Sequence, residues 1–138
     1  MEKEFNIATK AIIIYKRKVL IVQRSNYMNF DADIWEFPGG RIEFGEDIHA
    51  CLKREIKEEV NLDVEINRIL YATSLMVDNL RHVVILAYLC NACHNNVTLS
   101  NEHNNYLWAN KQQLNELLKD AIVNDLNTHH VWEQLEIE

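Results

Sequence analysis

The distribution of chain-breaking residues constrains this chain more than any other feature. Its one proline and all three glycines lie between residues 38 and 45, although the chain has 138 residues. Elsewhere the candidate turns are built largely from Asn and Asp, which tolerate left-handed backbone and bond their own main chain. Because glycine is favoured where no Cβ fits, we expect another group to approach the backbone closely at 38–45. A simple tight turn between two strands is the alternative interpretation.

Hydrophobic periodicity predicts one α/β (α+β) domain over residues 1–138, without repeats or linkers. Lys16-Arg17-Lys18 separates two β-rich runs and predicts a hairpin. Strands that bracket a helix, with more helix towards the end, indicate a mixed sheet covered on both faces. The predicted strands are 7–14, 19–23, 63–77, 82–90 and 105–109, the predicted helices are 46–60, 111–119 (capped by Asn110) and 122–135, and a polar loop covers 25–34.

Charge and hydropathy exclude several classes of protein. No stretch approaches the roughly 20 apolar residues that span a bilayer, and the first five residues carry acids where a signal peptide carries cations. We therefore expect a cytoplasmic protein without a membrane partner. A formal net charge of −7 argues against an extended nucleic-acid surface, which needs clustered Lys and Arg. It is compatible with a nucleotide, because a few cations and a metal ion can neutralise one polyphosphate.

The three cysteines, Cys51, Cys90 and Cys93, are expected to be free thiols. Residues 90–94 match the C-x-x-C-H haem-attachment pattern, but they follow an apolar run that predicts a buried strand. A zinc site would need a second ligand pair, which the sequence does not offer. We interpret the motif as a strand end followed by an Asn-rich turn.

The predicted helix over 46–60 concentrates acids on one face. At about 100° per residue, Glu55, Glu58 and Glu59 fall within one arc on the side of Ile48 and Cys51, the predicted core-facing stripe, while the lysines of this helix point to solvent. Glu46 and Asp47 are expected in the first turn, where the helix dipole favours anions.

This acid cluster is costly unless a cation compensates it. Carboxylates four residues apart repel each other on a helix, and partial burial adds a desolvation cost. Arg54 neutralises part of the charge but leaves an excess. A hard divalent cation such as Mg²⁺, which binds a few carboxylates together with substrate phosphates, resolves the excess. The alternative is a solvated acidic helix end balanced by Arg54.

The spacing of these residues resembles a known motif. From Gly40 to Leu62 the chain follows G-x5-E-x7-R-E-U-x-E-E-x-G-U, where U is aliphatic, except that Asn61 replaces the last glycine. This segment resembles the Nudix box of the Nudix hydrolases. The departure is mild, because Asn is the next best residue for a left-handed helix C-cap. The residues before the box, from Trp35 to Gly40, resemble the MutT-like branch, and Glu102, six residues before Trp108, resembles the family's distal acid.

The resemblance implies an α/β/α sandwich and assigns site roles. It implies catalytic roles for Glu55, Glu58 and Glu102, with Glu55 and Glu102 competing as the general base. The implied metal ligands are Gly39, Glu55, Glu58, Glu59 and Glu102, holding Mg²⁺, with Mn²⁺ as a substitute. The implied substrate-binding residues are Arg24, Glu36, Phe37, Pro38 and Gly39, and the implied structural pair is Glu46 with Arg54. His103 is a weaker candidate than Glu102, with an exposed loop histidine as the alternative.

The resemblance also implies a reaction. It is hydrolysis of a phosphoanhydride bond, with a nucleoside triphosphate as the expected substrate and 8-oxo-dGTP as one example, giving a monophosphate and pyrophosphate. Nucleotide sugars and ADP-ribose are the alternative substrates, and a non-catalytic nucleotide-binding or sensor domain is the alternative class. The expected partner is a small nucleotide, and either a monomer or a homodimer is compatible with the sequence.

Overall fold

The computed structural model describes residues 1–25 and 32–138. Most of the polar loop predicted over 25–34 therefore lies outside the described residues. Within these two ranges, no helix is both long and apolar enough to cross a membrane. The elements in chain order are β1 (Glu4–Tyr15), β2 (Lys18–Arg24), β3 (Trp35–Glu36), β4 (Gly39–Arg41), α1 (Ile48–Val60), β5 (Val64–Met76), β6 (Arg81–Ala92), β7 (His103–Ala109), α2 (Lys111–Leu117), α3 (Asp120–Thr128) and a 3₁₀ turn (Trp132–Gln134).

The strands form one mixed sheet centred on β1. Its main order is β3-β2-β1-β6-β5, while β4 pairs with β1 and β7 pairs with β2. The β1–β6 pair is parallel and the β1–β2, β1–β4 and β5–β6 pairs are antiparallel. The predicted β1–β2 hairpin is confirmed: Tyr15 pairs with Lys18, and the two residues between them both have positive φ, as a two-residue type I′ turn requires.

Side-chain alternation along β1 builds a core on each face of the sheet. Ala11 and Ile13 face the α1 side, where they pack in one buried cluster with Leu52 and Ile56. Ile12 faces the opposite side and packs in a second cluster with residues of α2, α3 and the C-terminal segment. Because successive strand residues point to opposite faces, one apolar strand supplies both cores. The α/β/α sandwich predicted from the sequence is confirmed.

The start of α1 differs from the prediction. The helix begins at Ile48, and the carboxylate of Asp47 caps it by accepting hydrogen bonds from the backbone N–H groups of His49 and Ala50. Asp47 and Glu46 therefore precede the first turn instead of lying in it. Ile48 is 37% exposed, so the prediction that it faces the core is wrong, whereas Cys51 is buried as predicted. At the other end Asn61 adopts the left-handed conformation of a C-cap.

The C-terminal segment also differs from the prediction. Asn110 caps α2 in a capping box with Gln113, as its sequence position predicts. The single helix predicted over 122–135 is wrong, because α3 ends at Thr128 and His130 turns the chain with φ 54°. The physical reason is burial: ending the helix there places Val131 in the core under α2 and α3.

Candidate active site

Two glycines of strand β4 lie close to the neighbouring elements, Gly39 against β1 and Gly40 against α1. A Cβ on Gly39 would overlap the carbonyl oxygen of Thr9, and the φ of 153° at this position is one that other residues rarely adopt. A Cβ on Gly40 would overlap the carboxylate of Glu55. The Gly39 N–H donates a 2.8 Å hydrogen bond to the Glu59 carboxylate. The glycines are therefore close-approach positions, and a turn alone does not explain them.

Three carboxylates form one wall of a cleft beside these glycines. Glu55 and Glu59 come from the second half of α1 and Glu102 from the residue before β7. Potential ligand atoms of Glu59, Glu102 and His103 all lie within 4.8 Å of one another. Backbone hydrogen bonds hold this region together, because Ser100 N–H donates to the Glu59 carbonyl oxygen at 3.1 Å.

The electrostatics of this acidic wall are unfavourable without a cation. Glu59 is 6% exposed, and its burial raises its pKa to about 8, although Lys10 and the Gly39 N–H oppose that shift. Burial also raises the pKa of Glu55, against the nearby Arg54 charge, and Glu58 and Glu102 add to the increase. Ionising both carboxyl groups in the cleft is therefore costly, chiefly because of their burial.

A second group of lining residues, the cationic wall, has two cations held by one carboxylate. Arg24 Nη1 donates to Glu36 Oε2 at 3.1 Å, and Lys10 Nζ lies 3.6 Å from Glu36 Oε1. His103 Nε2 lies 2.8 Å from Glu36 Oε2. Although burial alone would raise its pKa, the charges of Lys10 and Arg24 and the His103 hydrogen bond lower the pKa of Glu36 to about 2. Glu36 is therefore ionised and acts only as an acceptor.

Arg54 ties the loop after β4 to α1. Its guanidinium group donates to both Glu46 oxygens, at 2.7 and 2.9 Å, and to Glu55 at 2.8 Å. The hydrogen bonds from Arg54 lower the pKa of Glu46 to about 2. The bidentate pair with Glu46 fixes the Arg54 guanidinium group, which in turn orients the Glu55 carboxylate.

The two walls enclose a cleft of about 790 Å³. One half is charged and is lined by Lys10, Arg24, Glu36 and the three carboxylates. The other half lies on the exposed end of the sheet and is lined mainly by apolar side chains of β5, β6 and the loops beside them: Ile42, Leu75, Val77, Val83 and Ile85. The arrangement can hold a polyphosphate in the charged half and an apolar ring system in the other.

Most sequence-predicted site residues line this cleft, with three exceptions. Arg24, Glu36, Gly39, Glu55, Glu59 and Glu102 line it. The prediction that Phe37 contacts substrate needs correction, because its side chain is 3% exposed and lies in the core under α2 and α3. Pro38 is also buried, and its carbonyl oxygen accepts a hydrogen bond from Ala11 N–H. Alternation after β3 explains the error, since Glu36 points into the cleft and the next side chain points away.

Glu58 is the third exception. Its side chain is 59% exposed and lies at the rim of the acidic wall, with its carboxylate 3.5 Å from Arg54 Nη1. The metal-binding role that the resemblance implies for Glu58 stays a prediction.

The sequence analysis did not assign Lys10 to the site and gave His103, which lies beside the cleft, only as a weaker candidate. Lys10 lies within a β-rich run and was read only as part of a strand, yet a lysine inside an apolar strand was the available signal. The alternative of an exposed loop histidine is wrong for His103, whose side chain is 2% exposed. Its contact with Glu36 depends on the pairing of β2 with β7, which places Arg24 opposite His103.

Curated proteins match this chain over about half of its length or less. It is 36% identical over 52 residues to an 8-oxo-dGTP diphosphatase of Buchnera aphidicola, an alignment covering 38% of this chain and 40% of that protein. It is 38% identical over 67 residues to an RNA pyrophosphohydrolase of Campylobacter jejuni, covering 45% and 40%. It is 41% identical over 59 residues to Nudix hydrolase 2 of Arabidopsis thaliana, covering 43% of this chain and 21% of that protein. The matched segments therefore span less than half the length of these relatives.

Solved structures match the fold over nearly the whole chain. The MutT protein of Methanosarcina mazei Go1 superposes with a TM-score of 0.85 at 22% identity, covering 96% of this chain and 98% of that one. A MutT Nudix hydrolase of Burkholderia pseudomallei superposes with a TM-score of 0.77 at 23% identity, covering 91% and 98%. At these identities the likeness shows the fold alone.

The family model of the Nudix domain matches residues 5–129. This range includes both walls of the cleft, the two close-approach glycines and the helix that carries Glu55 and Glu59. The chain therefore belongs to the Nudix family.

Proposed function

We propose that this chain is a divalent-metal-dependent hydrolase that cleaves a nucleoside triphosphate to a monophosphate and pyrophosphate. The observation that carries the proposal is that three carboxylates and two cations line the same cleft. A polyphosphate needs cationic contacts, and its hydrolysis needs carboxylates that bind metal and accept a proton. The relatives named as diphosphatases and pyrophosphohydrolases support the same reaction class.

The acidic wall suits a hard divalent ion. It offers carboxylate oxygens, and among the described residues no cation forms an ion pair with the buried carboxylate of Glu59. Mg²⁺ prefers such oxygen ligands, and Mn²⁺ accepts them. Glu55, Glu59, Glu102 and the Gly39 carbonyl would hold the ion, with Glu58 at the rim. When bound, the metal neutralises phosphate charge and acidifies water.

The protein's own groups then have separate tasks. Lys10 and Arg24 bind and orient the phosphates. Water attacks a phosphorus atom in line with the leaving group, the bridging oxygen leaves with its electron pair, and a carboxylate accepts the water proton. Glu55 and Glu102 are the two candidates for this last task. Arg54 fixes Glu55 in position, whereas Glu102 is exposed. Comparing the kcat of Glu55→Gln with that of Glu102→Gln tests which carboxylate accepts the proton, and we expect the larger fall for the general base.

The two close-approach glycines give a matched pair of variants. Gly39→Ala is expected to lose about 2–4 kcal/mol of unfolding free energy, because its Cβ meets fixed backbone at an unfavourable φ. The atoms nearest to a Cβ on Gly40 are those at the flexible end of the Glu55 side chain, so we expect Gly40→Ala to change stability by no more than about 1 kcal/mol. Displacing that carboxylate by about 1 Å is expected to lower kcat about 10²-fold. Thermal unfolding and steady-state kinetics of both variants measure the difference. A wild-type kcat for Gly40→Ala would remove Glu55 from the reaction.

The apolar half of the cleft sets the expected selectivity for the base. The side chains lining it on β5 and β6 are aliphatic, and the polar lining residues outside the charged half are Asn6 and the exposed Arg41 and Glu43. An apolar slot discriminates only about 10–200-fold, whereas buried polar contacts reach about 10⁴–10⁵-fold. We therefore expect a ratio of kcat/KM for 8-oxo-dGTP over dGTP below about 200. A ratio far above this would require a dedicated hydrogen-bonding site for the oxidised base.

One substrate panel tests the proposal and its alternatives. Purified protein with Mg²⁺ is assayed against the four deoxynucleoside triphosphates, 8-oxo-dGTP, ADP-ribose, nucleotide sugars and dinucleoside polyphosphates, with the products identified by chromatography. Pyrophosphate plus a monophosphate from a triphosphate is the expected result. A monophosphate plus a sugar phosphate as the dominant product pair would favour the nucleotide-sugar or ADP-ribose alternative. Tight nucleotide binding without turnover would favour the sensor alternative.

A further inference from the structure

His103 is a buried histidine with one polar contact in the described structure. Its Nε2 atom lies 2.8 Å from Glu36 Oε2, and its Nδ1 atom is buried and has no hydrogen-bond partner within the described residues. Since an ionised carboxylate only accepts hydrogen bonds, the histidine must donate from Nε2. The contact therefore has a defined direction, from His103 to Glu36.

Glu36 connects this histidine to the two cations of the cleft. Its Oε2 atom accepts hydrogen bonds from His103 Nε2 and Arg24 Nη1, and its Oε1 atom forms an ion pair with Lys10 Nζ. Glu36 is itself negative and repels a phosphate, so its place between two cations is not that of a phosphate ligand. Its geometry instead fixes Arg24 and Lys10 in position, and His103 fixes Glu36.

The backbone around His103 is held on both sides. His103 pairs with Arg24 across β2 and β7 at a β-bulge, and the carbonyl oxygen of the preceding residue, Glu102, accepts a 2.9 Å hydrogen bond from Ser25 N–H. The chain therefore has an acidic-wall residue, Glu102, directly before β7, and the first residue of β7 is the histidine that contacts Glu36. Bulges often re-aim side chains near active sites.

We propose that His103 is a positioning residue that, through Glu36, holds Arg24 and Lys10 where the substrate's phosphates bind. The inference rests on the proposed function, because it assigns these cations to a polyphosphate. It predicts an effect on phosphate binding greater than the effect on the chemical step, because cations that bind substrate and transition state alike change KM more than kcat.

Three variants of His103 and one control variant isolate the Nε2 hydrogen bond. His103→Phe keeps an aromatic ring and removes the donor. His103→Gln places an amide donor near the Nε2 position, whereas His103→Asn places one near Nδ1 and does not reach Glu36. If His103→Phe fails to fold, the Gln and Asn pair keeps the comparison. Glu133→Gln is the control, because it removes one partner of an exposed His130–Glu133 pair outside the cleft.

The readouts are the Kd of inorganic tripolyphosphate with Mg²⁺ present, and KM and kcat for the best triphosphate of the panel. His103→Phe and His103→Asn are expected to raise both Kd and KM about tenfold, the effect of one charge-assisted hydrogen bond, with kcat within about threefold of wild type. His103→Gln is expected to restore both constants to within about threefold, and Glu133→Gln to leave them unchanged. Adding Glu36→Gln to His103→Phe should cost less than the sum of the two single changes.

Three results would overturn the inference. They are an unchanged tripolyphosphate Kd in His103→Phe, equal losses in the Gln and Asn variants, or a loss confined to kcat. Tripolyphosphate binding needs no turnover, so the test is separate from that of the proposed function. A wild type that hydrolyses triphosphates but shows no effect in these variants would refute only the role of His103. A wild type that binds tripolyphosphate in a His103-dependent way without turnover would refute only the proposed reaction.

Discussion

Glu59→Gln is expected to lower kcat about 10³-fold, because a lost metal-binding carboxylate removes several kcal/mol of transition-state stabilisation. The amide keeps the size of the side chain and an oxygen that can accept the Gly39 N–H, so the fold should persist. Steady-state kinetics at saturating Mg²⁺ measure the effect. Glu58→Gln is the matched comparison, and we expect a loss of only about tenfold, because that carboxylate lies exposed at the rim. A near-wild-type kcat in Glu59→Gln would refute its assigned role.

The same substitution is expected to stabilise the metal-free protein at high pH. Burial raises the folded-state pKa of Glu59 from 4.5 to about 8, so the neutral carboxyl is favoured in the fold. Its stabilising contribution is complete below pH 4.5 and is lost as the pH rises through 8. Glu59→Gln should therefore match wild type near pH 5 and exceed it near pH 9, by at most about 3–5 kcal/mol. If the wild type and Glu59→Gln have equal melting temperatures in EDTA at pH 5 and also at pH 9, the inferred cost of ionising Glu59 is wrong.

Divalent metal is expected to stabilise the wild type strongly. A ligand that binds only the folded state adds about 2.7 kcal/mol at a hundredfold excess over its Kd. For a chain of this length, that corresponds to a rise of about 8–10 °C in melting temperature. Mg²⁺ and Mn²⁺ should both produce the rise, and a non-hydrolysable nucleotide should increase it. Glu59→Gln should lose most of it.

Sodium chloride at matched ionic strength is the control for the melting experiment, because salt also screens repulsion among carboxylates. If NaCl reproduces the whole rise, the acids of α1 form a solvated helix end balanced by Arg54, and the metal site is absent.

The sequence predicted the parts of the site that depend on local spacing. Helical periodicity placed Glu55 and Glu59 on one face, and the structure brings both into the cleft. The clustering of glycine predicted a close approach at 38–45, which Gly39 and Gly40 make against β1 and α1. Both inferences needed only the geometry of one helix or one short segment.

The parts that escaped prediction depend on distant pairings. His103 meets Glu36 only because β7 pairs with β2 and β2 pairs with β3. The apolar half of the cleft exists because the long β5–β6 pair continues past the part of the sheet that α2 and α3 cover. No local sequence pattern shows where that cover ends. The family resemblance implied that Phe37 contacts substrate, and the two-residue strand β3 is too short to show from the sequence which side chain points inward. Long-range register decided each of these positions.

Pyrophosphate release from the best triphosphate, measured in Mg²⁺ and in EDTA for the wild type and Glu59→Gln, tests the metal-dependent reaction most directly. We expect release with an equimolar monophosphate only from the wild type in Mg²⁺. The other three conditions should fall by about 10³-fold or more. Equal release in EDTA, or equal release by Glu59→Gln in Mg²⁺, would show that the acidic wall does not carry the reaction.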